Sequence, residues 1–452
     1  MEEQGDYSAR ASLALIGRSF RAMDLWPMVC EQVHIQQKVM QYQPQEKLLD
    51  CFINILAGGQ GLIEIETLVR PDSVLQRAFG RSGCAEQSTI SDTLDACDAQ
   101  TSAQMRTALR AILRRYGQGC QHDYTRQRQV LDVDMTGWPG GCQGEGVEKA
   151  FFPDKVHRRG RQLGRVLATR YDEVVVDRLY PGKRQLESCL AELMGEAEGI
   201  LDLRGDSVAA QNRRENTVLR VDGGGGTEAD INWMLSRSYA IMVKLHNARR
   251  TYKLAQSVET WVSDEKVPER QIGWVTRPTP YVLPTRQLAI RHRKHGGKHT
   301  GEFGYSVLVF NVSDATLAEL LGLSAPHEPL AAPAMFNALH FYDLRGGALE
   351  TQFKGDKQGL GLAHRNKRRF YAQEMLVLLG QLAHNVVIWS RNRLAQTDPH
   401  FASFGIRRMV RDVFRIAGYV RCDPDGAIAQ VALNPRHPCA AAVLRAFWLD
   451  YV

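Results

Sequence analysis

The feature of this sequence that most constrains its fold is a change in hydrophobic period at Gln129. Before that residue, apolar side chains recur at helical spacing, as in residues 46–56, and Gly58 follows as a helix terminator. After it, residues 129–134 (QVLDVD) alternate between apolar and polar in the manner of a β-strand. The sequence therefore predicts a helical N-terminal region joined to a region that contains a β-sheet.

The order of the predicted elements after Gln129 indicates the class of fold. Strands are predicted at 129–134, 162–170, 173–180, 217–222 and 239–244, with helices at 187–201 and 230–235. Three strands, a helix and then strand, helix, strand is the order of an RNase H-like domain, in which helices flank a mixed sheet. We therefore predict an α/β fold of this type, which a strand at 305–312 resumes after an interruption.

The interruption and the two ends of the chain complete the predicted organisation. Short alternating runs, prolines and a basic cluster within 247–304 favour a β-rich insertion. A long helix is predicted from near Gly346 to about Leu394, with a break at 359–361. The predicted regions are a helical DNA-binding region (1–125), the RNase H-like core (126–246 and 305–395), the β-rich insertion (247–304) and a C-terminal tail domain (396–452).

Two short helices carry the prediction that residues 1–125 bind DNA. Residues 72–79 and 87–96 flank a turn that contains glycine, and the second helix is polar on one face. This arrangement suits a helix-turn-helix, and packing within a plain helical bundle is the alternative.

Positive charge is concentrated rather than spread evenly along the chain. The net charge is +7 and the pI is about 8.9, values that many proteins without a nucleic-acid partner share. One basic segment is 365–369, and a second contains Arg291, Arg293, Lys294 and Lys298. Such segments attract phosphate groups, while a solvated loop or helix face is the alternative.

Three sequence properties bear on the location of the protein. No apolar run reaches the roughly 20 residues that a membrane span needs, so no membrane partner is expected. Residues 1–10 are polar and acidic, unlike a secretory signal. The nine cysteines contain no Cys-x-x-Cys pair, which argues against a zinc ribbon or a disulfide framework. We expect reduced cysteines and a cytoplasmic location.

Three acidic residues are predicted at or near strand ends, where α/β sheets bind their ligands. Asp134 is predicted at the end of the first strand, Asp222 at the end of a later strand and Glu350 at the start of a helix. Convergent carboxylates repel one another unless a cation lies among them. Mg²⁺, for which Mn²⁺ can substitute, suits such a set, and two ions about 4 Å apart can activate one oxygen and stabilise another.

Two other aspartates compete for these roles. Asp132 lies two residues before Asp134 and points to the same strand face, so it is either a supporting partner or the true ligand. Asp206, in the sequence LRGDS, resembles the surroundings of Asp222 but follows no strand-length apolar run. Asp222 is therefore favoured over Asp206.

Three segments of the sequence resemble a known family. They are 131–136 (LDVDMT), 219–235 (LRVDGGGGTEADINWML) and 342–362 (YDLRGGALETQFKGDKQGLGL), and the similarity continues through 383–389. In these segments the chain resembles bacterial insertion-sequence transposases of the DDE class, in the group with a Tyr-Arg-Glu-Lys signature. The resemblance implies a DNA transposase that binds transposon ends and catalyses metal-dependent hydrolysis and strand transfer.

The resemblance also assigns roles to individual residues. It implies that Asp134, Asp222 and Glu350 bind two Mg²⁺ ions, and that Tyr342, Arg345 and Lys357 contact DNA phosphates. Four residues separate Arg345 from Glu350, where the family usually has three. The extra residue, Gly346 or Gly347, is predicted to be taken up in a turn before the helix.

The expected partners follow from the same resemblance. They are double-stranded DNA, both terminal inverted repeats and target DNA, and a second copy of the chain in a synaptic dimer. The location would be the bacterial cytoplasm, with association to the nucleoid when bound to DNA. Alternatives are an RNase H-like nuclease that cuts without joining and a domesticated transposase that only binds DNA.

Three further residues have two interpretations each. Trp261 and Trp274 lie in the predicted insertion, which in relatives contributes to hairpin formation or base flipping, so they are candidates for stacking on an extruded base. Their alternative role is in the core of a small β domain. His384 lies within an apolar helix and is interpreted as a core histidine rather than a ligand.

Overall fold

The helical patterning before Gln129 gives an all-helical region that follows one short strand. A computed structural model describes residues 5–150, 152, 158–295, 300–323, 331–423 and 427–448, with the backbone alone for 331–333. The elements of this region are β1 (Asp6–Ser8), α1 (Ala11–Ala22), α2 (Leu25–Gln32), α3 (Pro44–Leu56), α4 (Ile65–Leu68), α5 (Ser73–Ala78), α6 (Gln87–Asp95) and α7 (Ala99–Tyr116). The Asp72 and Asp98 side chains accept backbone N–H groups at the starts of α5 and α7, which satisfies donors that have no partner within the helix.

The predicted strands after Gln129 are present. The elements are β2 (Gln129–Pro139), β3 (Glu148–Lys149), β4 (Arg159–Ala168), β5 (Glu173–Tyr180), α8 (Leu190–Ile200), α9 (Val208–Glu215), β6 (Thr217–Val221), α10 (Glu228–Ser236), β7 (Ala240–Lys244), α11 (Ala248–Ala255), β8 (Val262–Ser263), β9 (Arg270–Trp274), β10 (Arg286–Arg293), β11 (Phe303–Phe310) and α12 (Asp314–Leu320).

The remainder of the chain is mostly helical. It contains α13 (Ala331–Arg345), a π-helical turn (Gly346–Glu350), α14 (Thr351–Gly359), α15 (Phe370–Thr397), α16 (Ile406–Arg408), a second π-helical turn (Met409–Val413), β12 (Gly418–Cys422), β13 (Ile428–Leu433) and α17 (Ala440–Phe447). Short 3₁₀ segments lie at Leu62–Glu64, Thr169–Tyr171, Leu186–Ser188, Gly223–Gly225 and Pro399–Ser403.

One large mixed sheet organises the α/β region. Its ten strands include the path β3-β4-β2-β6-β7-β11-β10-β9-β8, and β5 pairs with β4. β2, β6 and β7 are parallel, whereas β4 and β11 run antiparallel to their neighbours on either side. Helices cover both faces through two separate hydrophobic clusters. The predicted fold class, a mixed sheet flanked by helices as in RNase H-like proteins, is confirmed.

The strands predicted within 247–304 are present, but they do not form a sheet of their own. β8, β9 and β10 continue the large sheet, because β10 pairs along its whole length with β11, and β11 pairs with β7. Alternation of apolar residues predicts such strands but not the strand with which each one pairs.

A third hydrophobic cluster joins the helical N-terminal region to the C-terminal part of the chain. It contains side chains from α1 to α7, from α14 and α15, and from the residues after 396. β1 pairs with β12 in a three-stranded sheet, so the two ends of the described chain lie together. The regions predicted as 1–125 and 396–452 therefore share one core.

The predicted long helix differs from the observed one at its start. Helical structure begins at Ala331, not near Gly346, and runs without interruption through the π-helical turn and α14 to Gly359. The predicted break at 359–361 is present, because Gly361 has a φ of +65° and α15 begins only at Phe370. Within the described residues, no helix is long and apolar enough to span a membrane.

Candidate active site

The strand ends bring Asp134 and Asp222 side by side. Val133 of β2 pairs with Val221 of the parallel strand β6, so Asp134 and Asp222 are the next residues on adjacent strands. The prediction that Asp134 ends its strand is wrong in one respect. β2 continues to Pro139, paired with β4, and only its pairing with β6 ends before Asp134. The Asp134 carboxylate thus lies where β2 is still paired with β4 but no longer with β6.

A lysine that the sequence interpretation missed completes this row. Val221 pairs with Val243 of β7, so Lys244 follows in the same register as Asp222. Its Nζ lies 5.2 Å from the centre of the Tyr342 ring, and its charge helps to lower the pKa of Asp222. The signal was available in the sequence, since Lys244 ends the strand predicted next to the one that Asp222 ends.

Two side chains of α13 contact the two aspartates. Nη2 of Arg345 lies 2.8 Å from Oδ2 of Asp134, and the side chain of Arg345 is only 4% exposed. The hydroxyl of Tyr342 donates to the Val221 carbonyl at 3.2 Å and to Oδ1 of Asp222 at 3.3 Å. Tyr342 and Arg345 are three residues apart and therefore share one helix face.

The two carboxylates have pKa values that move in opposite directions. Burial raises the pKa of Asp134, and the neighbouring charge of Asp222 adds to the increase, against the opposing effect of Arg345. Burial also acts on Asp222, but Arg345, the Gly223 N–H, Lys244 and Tyr342 outweigh it and lower its pKa. The positive charges of Arg345 and Lys244 therefore lower the pKa of Asp222 below its usual value, while the pKa of Asp134 stays raised.

Lys357 reaches the same end of β2 from α14. Its Nζ donates to Oγ1 of Thr136 at 2.7 Å and to the Gly137 carbonyl at 3.3 Å. Thr136 lies two residues after Asp134 and so faces the same side of the strand. Tyr342, Arg345 and Lys357 thus all contact the ends of β2 and β6.

Glu350 is placed differently from the two aspartates. It is the last residue of the π-helical turn and its side chain is exposed to solvent. Within the described part of the chain, no group of three aspartate, glutamate, histidine or cysteine side chains is arranged to hold a metal ion. The structure therefore brings Asp134 and Asp222 together but does not add the Glu350 carboxylate to them.

The two competing aspartates have other surroundings. Asp132 is fully buried, and its oxygens accept from Arg220 at 2.7 and 2.8 Å and from Thr169 at 2.8 Å. Because Arg220 also donates to the Phe341 carbonyl, Asp132 serves to join β2 and β6 to α13. Asp206 is exposed in the segment before α9 and does not directly follow a strand. Neither has the position of Asp222.

The predicted basic cluster begins on β10 of the large sheet, where Arg291 lies beside aromatic side chains. The Arg291 guanidinium lies 4.3 Å from the ring centre of Trp261 and 4.6 Å from that of Phe303. Arg293 ends β10 and is exposed, as is Lys294 after it, and Lys298 lies outside the described residues.

The two tryptophans of this region are packed into the protein. Trp261 packs against the cluster on one face of the sheet, and Trp274 against the cluster on the other. The ring centres of Trp274 and Phe310 are 6.1 Å apart. These contacts favour the core interpretation of both tryptophans.

Comparison with solved structures gives a distant likeness in fold. No family model and no curated protein matches this sequence. The fold is similar to that of the piggyBac transposase in a cryo-EM synaptic complex with hairpin DNA, at 10% sequence identity and a TM-score of 0.44. The alignment covers 91% of this chain and 82% of that one.

The chemistry of the donors can be tested against a divalent metal. Mg²⁺ is bound by one or two carboxylates, waters and substrate phosphate oxygens, and Asp134 and Asp222 supply such a pair of carboxylates. Arg345 supplies positive charge beside them, yet its buried Nε has no hydrogen-bond partner among the residues that the structure describes. A guanidinium that is incompletely satisfied is consistent with a site built for additional groups. The two aspartates fit a divalent metal, and Glu350 fits it only as a third donor brought in from the π-helical turn.

Proposed function

We propose that this chain is a DNA transposase that binds transposon ends and catalyses phosphodiester hydrolysis followed by strand transfer. The observation that carries the proposal is the pair of Asp134 and Asp222 on adjacent strands. Arg345 and Tyr342 contact these carboxylates. Lys357 binds Thr136 and Gly137, which follow Asp134 on β2. Paired carboxylates surrounded by phosphate-binding residue types suit a metal-dependent reaction on a phosphodiester.

The proposed metal ligands are Asp134, Asp222 and Glu350. Divalent ions held there would activate an attacking oxygen and stabilise the leaving oxygen. The protein side chains would hold the substrate phosphate in line for that attack. Arg345 offers a planar fork for phosphate oxygens, Lys357 a compact positive charge, and Tyr342 a hydroxyl donor.

The proposed reaction has two displacements at phosphorus. In the first, a water oxygen bonds to the phosphorus at the transposon end and the bond to the 3′ oxygen breaks, which leaves a 3′-hydroxyl and a 5′-phosphate. In the second, that 3′-hydroxyl attacks a target phosphodiester, whose own 3′ oxygen departs with a proton. The second displacement makes one phosphodiester for the one that it breaks, so joining requires no external energy source.

The proposed substrate is double-stranded DNA. The exposed basic residues Arg293 and Lys294 at the end of β10 support this choice, since cations on a sheet edge attract a phosphate backbone. Two transposon ends must be held together for transposition, and we therefore propose that a homodimer forms on DNA.

A cleavage and strand-transfer assay tests the proposal. It uses DNA from the ends of the element that encodes the protein, with Mg²⁺ or Mn²⁺, and compares wild type with Asp222→Ala and the matched control Asp206→Ala. We expect Asp222→Ala to lose on the order of a thousandfold in rate, because metal stabilisation of the transition state contributes several kcal/mol. Asp206→Ala should react at the wild-type rate.

The other outcomes assign other functions. Cutting without joining would identify a nuclease. Binding of DNA with no reaction under either metal would identify a DNA-binding protein, and equal loss in both variants would show that Asp222 has been misassigned.

A further inference from the structure

The exposed face of α14 continues the candidate active site along the protein surface. Glu350, Lys354 and Gln358 are four residues apart from one to the next, and all three are exposed. This spacing places them in one line along the helix. A substrate that contacts the site at Glu350 would therefore meet Lys354 and then Gln358 along this line.

A row of arginines lies at the far end of that line. Arg407, Arg408, Arg411 and Arg415 are exposed, whereas Ile406, Met409, Val410 and Val413 from the same segment are buried in the core. The segment is thus anchored on one side and cationic on the other. We call these four residues the arginine row.

Two glycines allow the arginine row to approach α14 closely. A Cβ atom on Gly359 would lie 2.8 Å from the Cα of Arg407, and one on Gly355 would lie 3.3 Å from the Cβ of Ile406. Nη1 of Arg407 lies 3.5 Å from Oε1 of Gln358. The arginine row therefore packs against the glycine face of α14, the helix that follows Glu350 and carries Lys357. The exposed surfaces of the two segments are continuous.

The charge of this surface is far from balanced. Asp412 is the carboxylate within the segment, and it lies 2.8 Å from Arg411 and 3.7 Å from Arg408. Arg407 contacts an uncharged amide, and Arg415 lies 3.5 Å from the Gly58 carbonyl. Among the described residues of this surface, the four arginines and Lys354 face two carboxylates, Asp412 and, at the start of the line, Glu350. Fixed, exposed and incompletely paired arginines suit a polyanion, and a regular run of phosphates in particular.

We propose that the arginine row and Lys354 bind the sugar-phosphate backbone of duplex DNA beside the catalytic site, an inference that rests on the proposed function. The row adds affinity and orientation without reading base sequence, because contacts to phosphate carry no sequence information. DNA that enters the site along α14 would be held at both ends of this helix.

Binding of a fluorescein-labelled 30-base-pair duplex of arbitrary sequence tests the proposal. Fluorescence anisotropy over a series of salt concentrations compares wild type with the variant Arg407→Gln, Arg411→Gln, Arg415→Gln. The matched control is Arg115→Gln, Arg126→Gln, Arg204→Gln, which removes three exposed arginines from α7 and from the segments before β2 and α9. Circular dichroism and the melting temperature of each variant establish that it is folded.

The expected result is specific to phosphate contacts. Removing three of them should weaken binding on the order of tenfold or more, and should lower the slope of log K against log salt by about two to three. The control should keep the wild-type slope. The variant with lysine at 407, 411 and 415 should recover most of the slope, because lysine retains the charge.

The remaining outcomes separate this inference from the proposed function. Wild-type binding with an unchanged slope in the arginine-to-glutamine variant would overturn the arginine row and leave the transposase proposal intact. Absence of DNA binding by wild type would overturn both. Loss of binding to poly-glutamate with unchanged binding to the duplex would assign the row to an acidic protein partner and overturn the proposal.

Discussion

Arg345 is the main counter-charge of the two aspartates at the centre of the candidate site. Its guanidinium contacts Asp134 directly at 2.8 Å and lowers the pKa of Asp222 through its charge. Two carboxylates at neighbouring strand ends would otherwise repel each other across a partly buried space. Burial works against the charge on Arg345, but the surrounding anions more than compensate and raise its pKa.

The first residue-scale prediction concerns Arg345→Ala. Removal of the guanidinium leaves the carboxylates of Asp134 and Asp222 without their main counter-charge, so the free energy of unfolding should fall by about 3 kcal/mol. Mg²⁺ should restore much of this loss, because an ion that binds only the folded state stabilises it. Urea unfolding with and without Mg²⁺ measures both effects. Arg345→Lys is the control, and an equal response to Mg²⁺ in Arg345→Ala and wild type would contradict the prediction.

At the element scale, one unusual turn determines where Glu350 lies. The π-helical turn Gly346–Glu350 contains one more residue than an α-helical turn would. The resemblance to transposases indicated one extra residue between Arg345 and Glu350, and the turn takes it up inside the helix rather than before it. Among the described residues, a Cβ atom on Gly346 or Gly347 would meet no neighbouring atom within 4 Å, so both positions have room for a side chain.

A deletion tests this account of the turn. Deleting Gly347 should let α13 and α14 run as one α-helix, with the relative orientation of Arg345 and Asp356 retained and the melting temperature changed by only a few degrees. Deleting Gly355 is the control, since it rotates the rest of α14 by about 100° and removes Asp356 from its buried partners. Thermal unfolding by circular dichroism measures both. A similar decrease in melting temperature for the two deletions would show that the extra residue is not confined to the π-helical turn.

At the scale of the whole molecule, a buried charged network joins the sheet to the helices. Arg165 of β4 donates to Asp177 of β5 at 2.7 and 2.6 Å and to Asp356 of α14 at 2.6 Å. His384 of α15 contacts Asp356 at 2.7 Å and the Asp172 carbonyl at 2.8 Å. Both ring nitrogens of His384 thus face acceptor oxygens. Arg165 and His384 both contact Asp356, and His384 is fully buried, so it is a core histidine as predicted.

This network gives a prediction for pH dependence. Burial raises the pKa of Asp356, but His384 and Arg165 outweigh it, and the pKa lies below its usual value. Ionised Asp356 therefore stabilises the fold fully above its unfolded-state pKa of about 3.9. This stabilisation is lost as the pH falls through the lower pKa that Asp356 has in the folded protein.

His384→Gln should remove roughly 3 kcal/mol of stability at pH 7, and the difference from wild type should shrink below about pH 4. Unfolding by urea between pH 7 and pH 3 measures this difference. The exposed histidine variant His364→Gln should match wild type throughout. A difference for His384→Gln that is independent of pH would show that the histidine contributes packing alone.

Local patterns in the sequence determined the type and order of the elements. Alternation predicted β2, β4, β5, β6 and β7, and helical spacing predicted the N-terminal region, because these periods follow from the geometry of a single segment. The position of Asp222 directly after an apolar run likewise separated it from Asp206. These features depend on neighbours within a few residues, which a sequence displays directly.

Tertiary structure alone decided which residues meet. Asp132 and Asp134 have the same strand pattern, yet each pairs with a different arginine. Arg220 lies opposite Asp132 in the parallel pairing of β2 with β6, whereas Arg345 reaches Asp134 from α13. The pairing of β10 with β11, the shared core of the two chain ends, and the position of Glu350 are likewise fixed by contacts between segments far apart in the chain. Such contacts depend on how whole elements pack, and no local period encodes them.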